Sequence, residues 1–221
     1  MIPLKLFKKY SLKVENSVCE IIQKQGFSTG FFCKIPYKED NKYLLPVLIT
    51  SNHGLKLNEI KINEIKIVLN GENKTIFLKN RKQWTDAYMD YAIIEIKENE
   101  DNIHNFLDLD DYVFENNCTN KYYLGQEVVI FGIDKNTRQL AYSSGIIKRC
   151  YDYYFSYNSI TYKGCSGGCI INKSNGKVIG FHKGCTEGGK NDNKKIGIFL
   201  MDVIKDIKEI KNGLLSNVKY Y

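Results

Sequence analysis

The run Gly164-Cys165-Ser166-Gly167-Gly168 sets one hydroxyl inside a cluster of glycines, a pattern suited to nucleophilic catalysis. A serine hydroxyl is a weak nucleophile at neutral pH and needs a general base beside it. The carbonyl it attacks needs fixed N–H donors aimed at the oxygen that takes up charge. Glycines permit the backbone angles of so sharp a turn and leave room for a second chain to approach. Ser166 is therefore read as the nucleophile, and the backbone N–H groups of Gly164 and Ser166 as the oxyanion hole. A Gly/Ser turn by itself is equally an ordinary loop, so the rest of the chain must supply a base and a carboxylate.

The search for a base is short, because the chain has three histidines, His53, His104 and His182. His53 follows the apolar run Leu44–Thr50 and precedes Gly54, which places it at a strand end where a rigid scaffold presents a side chain. Asp90 opens Asp90-Tyr-Ala-Ile-Ile-Glu-Ile96 at the mouth of a buried strand, with Asp86 as a nearby substitute. Its carboxylate there can accept the Nδ1–H of an imidazole. The order histidine, aspartate, serine is that of chymotrypsin-like enzymes and differs from the subtilisin and α/β-hydrolase orders.

These motifs, with the strand-turn-strand pattern Cys169–Gly184 that follows the glycine turn, resemble the chymotrypsin-like peptidases over most of the chain. The stretch is most similar to the staphylococcal glutamyl endopeptidases and the picornavirus-type processing proteases. The resemblance implies a serine endopeptidase acting on polypeptides without a cofactor, on two antiparallel six-stranded β-barrels with the site in the cleft between them. It also implies that Thr161 and His182 line the primary pocket and select Glu or Gln before the cleaved bond, with Lys163 or Lys183 favouring Glu. An arginine-selective pocket needs an acid, and none stands in Ser156–Ser166. Two departures from secreted digestive enzymes are expected to leave the protein active without N-terminal cleavage: Cys165 rather than an acid precedes Ser166, and no Ile-Val-Gly-Gly start is present. Two rival readings remain, a non-catalytic peptide-binding module on the same scaffold and a zinc site made of Cys165, Cys169, His182 and Cys185. Cys165 as nucleophile is disfavoured, since it sits one position early in the motif.

The elements that must position these groups read as short strands broken by turns: Ser17–Ile22, Gly26–Ile35, Tyr43–Thr50, Lys61–Leu69, Lys74–Lys79, Asp90–Ile96, Gly125–Ile133, Gln139–Ile147, Tyr151–Tyr157, Cys169–Asn172, Lys177–His182 and Ile196–Leu200. Asn70-Gly71 marks a hairpin. A segment at Phe199–Gly213 repeats apolar residues at helical spacing and ends on a glycine stop. The pattern favours an all-β barrel or sandwich body with one C-terminal helix. An acidic, asparagine-rich stretch at 98–121 is read as the connection, dividing the chain into residues 1–116 and 117–221.

At 221 residues, 26% charged and 43% hydrophobic, the composition is that of a globular protein. No segment is long and apolar enough to span a membrane. The formal charge of +7 is spread along the whole chain, which describes a solvated surface and not a nucleic-acid site. Seven cysteines, an odd number, with no signal-like leader, point to reduced thiols in a cytoplasmic compartment.

Overall fold

The computed structural model describes residues 12–24, 26–37, 43–55, 63–115, 119–161, 164–185 and 194–211. The first half builds one antiparallel sheet from β1 (Val18–Gln23), β2 (Gly26–Pro36), β3 (Leu44–Ser51), β4 (Glu64–Leu69), β5 (Glu72–Phe77), β6 (Gln83–Asp86) and β7 (Tyr91–Glu95), with a helical turn α1 (Asn52–Leu55) after β3. Its strand order is β5-β4-β1-β2-β3-β7-β6. A second helical turn, α2 (Glu98–Asp101), leads toward the other half. There β8 (Glu127–Ile133), β9 (Leu140–Cys150), β10 (Tyr154–Asn158), β11 (Cys169–Asn172), β12 (Val178–Cys185) and β13 (Lys195–Phe199) close into a six-stranded barrel, and α3 (Leu200–Lys211) follows β13 directly.

Local chemistry explains several of these elements. Asn70 and Gly71 both take positive φ, 50° and 79°, in the two-residue loop that pairs Leu69 with Glu72, as a tight hairpin requires. Leu200, Val203, Ile204 and Ile207 fall on one stripe of α3 and are all buried, the spacing that seats a helix on a sheet.

Among the described residues, buried apolar side chains gather in three groups. One fills the first sheet, around Ile21, Phe32, Leu48 and Ile94. Another fills the barrel, around Val128, Phe155, Ile170 and Phe199. The largest lies between the halves, where Val47, Ile49 and Ile93 meet Phe131, Ile171 and Phe181 together with Val203, Ile204 and Ile207 of the helix. Each fully buried side chain of this kind contributes on the order of 1.5–3 kcal/mol, so this layer fixes how the halves sit against each other.

The mostly-β architecture with a C-terminal helix agrees with the sequence reading; the first half differs in detail. It is a curled seven-stranded sheet whose edges, β5 and β6, do not pair, where a closed six-stranded barrel was expected. Arg81 stands at the gap. Its guanidinium group donates to the carbonyls of Phe77, at the end of β5, and Glu95, at the end of β7, and pairs in bidentate fashion with Asp101 of α2 at 2.6 and 2.7 Å. The Phe77 carbonyl at the end of the edge strand β5 is thus satisfied by a side chain and not by a ladder. Strand β6, only four residues with one buried apolar side chain, Trp84, is too short for alternation to reveal.

The acidic connection is built into both sheets. Leu107 bridges to Cys33 of β2 and Leu109 to Val178 of β12, while Asp110 N–H donates to the Val178 carbonyl and Val178 N–H to the Asp108 carbonyl. The expected boundary at Asn117, Lys163 and the glycine stop Gly213 lie outside the described residues. No helix among the described residues is long and apolar enough to cross a membrane.

The Arg81–Asp101 pair, with both side chains 3% exposed, is expected to matter through what its loss leaves behind. Asp101→Asn strands a buried guanidinium group and should cost about 3–5 kcal/mol, read as a lower urea midpoint.

Candidate active site

β3 ends at Ser51 and the chain turns through α1, which carries His53. Gly54 makes that turn possible, since a Cβ there would lie 2.9 Å from Ser51 Oγ and 3.0 Å from Ser28 Cβ. Asp90 sits at the head of β7 with φ of 64°, a left-handed conformation that aspartate tolerates better than most residues. Its groups all turn back toward the histidine. The Asp90 carbonyl accepts from Asn52 N–H at 3.0 Å. Its Oδ1 accepts from His53 N–H at 2.8 Å, and its Oδ2 lies 2.7 Å from His53 Nδ1. The carboxylate is buried at 6% exposure while the imidazole is 51% exposed. With Nδ1 engaged, Nε2 is the ring nitrogen available to other groups. Asp86, the substitute carboxylate, is occupied by its own turn, accepting from Met89 N–H.

Ser166 enters on the loop between β10 and β11 and shares with His53 and Asp90 the wall of one cavity of ≈ 640 Å³. Tyr153, Tyr154, Lys183, Cys185, Ile196 and Ile198 are among its other lining residues. The serine turn is held by its carbonyls. Gly164 C=O accepts from Thr29 Oγ1 at 2.7 Å, Cys165 C=O from Gly168 N–H at 2.8 Å, and Ser166 C=O from Thr29 N–H at 2.9 Å. A trans peptide is planar, so the Ser166 N–H points opposite the Cys165 carbonyl. Among the described residues, no acceptor is bonded to the N–H of Gly164 or of Ser166. The glycines are sterically required. Gly164 and Gly167 have φ of 101° and 84°, and a Cβ at Gly167 would sit 2.2 Å from the Thr29 carbonyl oxygen. Cys165 is buried, its sulfur 4.0 Å from the Ile133 carbonyl oxygen.

Of the residues expected to select substrate, Lys183 lines the cavity, with Nζ 3.4 Å from the Tyr88 carbonyl oxygen. Thr161, on the chain entering the serine loop, and His182 are not among the lining residues. His182 is buried on β12. Its backbone joins the serine turn, accepting from Gly167 N–H and donating to Gly168 C=O, each at 2.8 Å. Its Nδ1 lies 2.7 Å from the Tyr157 hydroxyl. Burial, helped by the Lys195 charge, lowers the imidazole to about 4, so it is neutral at physiological pH. His104 is exposed and bonds to Asn102. Among the described residues, no three His, Cys, Asp or Glu side chains gather as a metal-binding set.

Sequence reasoning passed over Thr29, which is fully buried and touches the serine turn across 135 positions. The available signal was a hydroxyl residue between glycines at the start of a buried strand, in Gly26-Phe-Ser-Thr-Gly30. Nothing in that pattern names a partner so far along the chain.

A family model described as a trypsin-like peptidase domain matches residues 28–181, a span that contains His53, Asp90 and Ser166. No curated protein sequence matches the chain. Among solved structures, a serine endoprotease from Yersinia pestis aligns with a TM-score of 0.62 at 15% identity, over 90% of this chain and 66% of that one. The Rv3671c protease of M. tuberculosis H37Rv in its inactive form aligns with a TM-score of 0.62 at 16% identity over 96% of each chain. A serine-to-alanine mutant of that protein, also in the inactive form, gives 0.64 at 16% identity over 98% of this chain and 96% of that one. Likeness at these identities is likeness of fold, whereas the family model reads sequence across more than half of the chain. The chain belongs to the trypsin-like peptidase domain family, and is a serine endopeptidase of chymotrypsin fold.

Proposed function

We propose that peptide bonds are hydrolysed by a triad of His53, Asp90 and Ser166, with the N–H groups of Gly164 and Ser166 as the oxyanion hole. The observation that carries this reading is the double attachment of Asp90 to His53, through backbone and ring, on a cavity wall shared with Ser166. His53 takes the Ser166 proton as Oγ attacks the carbonyl, then delivers it to the leaving amine; water repeats the cycle to release the acyl group. Asp90 holds the tautomer and stabilises the imidazolium that forms. The oxygen of the tetrahedral intermediate is received by donors already in place, which spares reorganisation during the reaction.

The substrate is a polypeptide cleaved after Glu or Gln. Support comes from the charges on the cavity wall. Asp90 is engaged by His53, and Lys183 is the cation beside them, so a side chain bearing a carboxylate or an amide oxygen suits the cavity better than a cation does. His182, neutral and buried against Tyr157, bears on this selection through its backbone bonds to the serine turn, whose shape borders the cavity.

A fluorophosphonate probe should label the wild-type protein and fail to label Ser166→Ala; equal labelling of the two would end the reading of Ser166 as nucleophile. A peptide library should be cut after Glu or Gln, with the preference reduced in Lys183→Ala and His182→Ala. Cleavage mainly after Arg, Lys or Phe would overturn the specificity. The buried His182 also predicts a pH effect. Its folded pKa lies below its unfolded value of 6.5, so its neutral form contributes stability in full above about pH 6.5, and that contribution is lost as pH falls toward 4. Asp202, raised to about 6 mainly by burial, acts in the opposite sense over much of this window, so the wild type alone does not isolate the effect. Unfolding of wild type beside His182→Gln should differ in slope by about 1.4 kcal/mol per pH unit between roughly pH 6.5 and 4.

A further inference from the structure

The serine turn is made in the barrel, yet its geometry is held from the first sheet. Thr29 supplies the contact, and all its polar groups are engaged. Its N–H donates to Ser166 C=O at 2.9 Å, and its carbonyl accepts from Thr50 Oγ1 at 2.7 Å. The hydroxyl donates to Gly164 C=O at 2.7 Å while accepting from Ile133 N–H at 2.9 Å. A hydroxyl has one proton to give and lone pairs to receive with, and both capacities are used here.

The placement of these bonds matters more than their number. Ser166 N–H belongs to the peptide between Cys165 and Ser166, and its direction depends on the torsions on either side. Thr29 grips the carbonyl before that peptide, at Gly164, and the carbonyl after it, at Ser166. The amide aimed at the reacting oxygen is thus clamped at both flanks by one residue of the opposite sheet. Phe27, two residues earlier, gives the clamp a wall: a Cβ at Gly164 would meet its ring at 2.6 Å. The ring is in turn covered by the Arg138 guanidinium group, 4.3 Å from its centroid, and Arg138 is itself held by the buried carboxylate of Glu20.

We infer that Thr29 is a positioning residue for the reaction, its hydroxyl setting the angle at which the serine turn presents its oxyanion-binding amides. The inference rests on the reading of Ser166 as nucleophile and of these amides as the oxyanion hole. Thr29 touches no substrate, so its removal should lower kcat and leave KM nearly unchanged.

The test compares wild type, Thr29→Val and Thr29→Ser, with active sites counted by fluorophosphonate titration so that misfolded protein drops out of the rate. A peptide cut by the wild type is the substrate, and a peptide aldehyde of the same sequence reports on oxyanion binding, since its adduct with serine places an oxygen in the hole. Thr29→Val, isosteric but without the hydroxyl, should lose about 10- to 100-fold in kcat per active site, with KM within about threefold and aldehyde affinity falling in step. Thr29→Ser should restore kcat to within about threefold of wild type. Thr29→Ala takes the place of the valine variant where that does not fold. An unchanged kcat per active site in a hydroxyl-less variant would overturn the inference, as would a serine variant as slow as the valine one. A wild type labelled no better than Ser166→Ala is a different failure, that of the site assignment on which the inference stands.

Discussion

The tight turn around Ser166 satisfies the Cys165 carbonyl from within, while those of Gly164 and Ser166 find partners on the far side of an interface. Burying such groups unpaired costs about 1–3 kcal/mol each, so the turn takes its shape only against the sheet that supplies Thr29. The apolar layer between the halves makes that contact dependable. Many buried side chains at on the order of 1.5–3 kcal/mol apiece outweigh a few hydrogen bonds at about 1 kcal/mol net. The layer therefore decides where the two sheets lie, and the hydrogen bonds refine geometry inside a placement already made.

Other buried polar groups follow the same logic. Asp90 is tolerable in the interior because its carboxylate meets both a backbone N–H and the ring nitrogen of His53. Asp110, almost fully buried where the connecting segment crosses the barrel, accepts from Tyr112 N–H, Tyr123 Oη and Asn175 Nδ2. Tyr91, the residue after Asp90, donates its hydroxyl to Asp206 of α3, so the C-terminal helix is tied to the strand that carries the aspartate. Each of these is a place where unmet hydrogen-bonding capacity would be expensive, and each joins segments far apart in the chain.

Much of this was legible from residue order. Twelve of the observed strands, all but β6, fall on runs whose alternation or apolar density announces them, and the stripe of α3 is plain. The open edge of the first sheet was not legible, because the end of β5 is capped by the Arg81 side chain, whose placement depends on Asp101 twenty residues later. The connecting segment read as a polar spacer, since its acidic residues dominate its composition while its contribution to both sheets runs through the backbone.

For the site, the sequence by itself determined the chemical inventory: a histidine at a strand end, an aspartate at the head of a buried strand, a serine among glycines, in the order of one enzyme family. Those features are local, set by residue type and immediate neighbours, and a one-dimensional reading reaches them. Only the tertiary structure decided that Lys183 faces the cavity while His182 lies buried against Tyr157, and that Thr29 holds the serine turn. The bulge between His182 and Gly184 breaks the simple alternation of faces along β12, and a hydroxyl 135 positions away acquires its meaning only when two sheets are pressed together. Contacts of that separation are fixed by the packing of whole elements, which no single stretch of residues encodes.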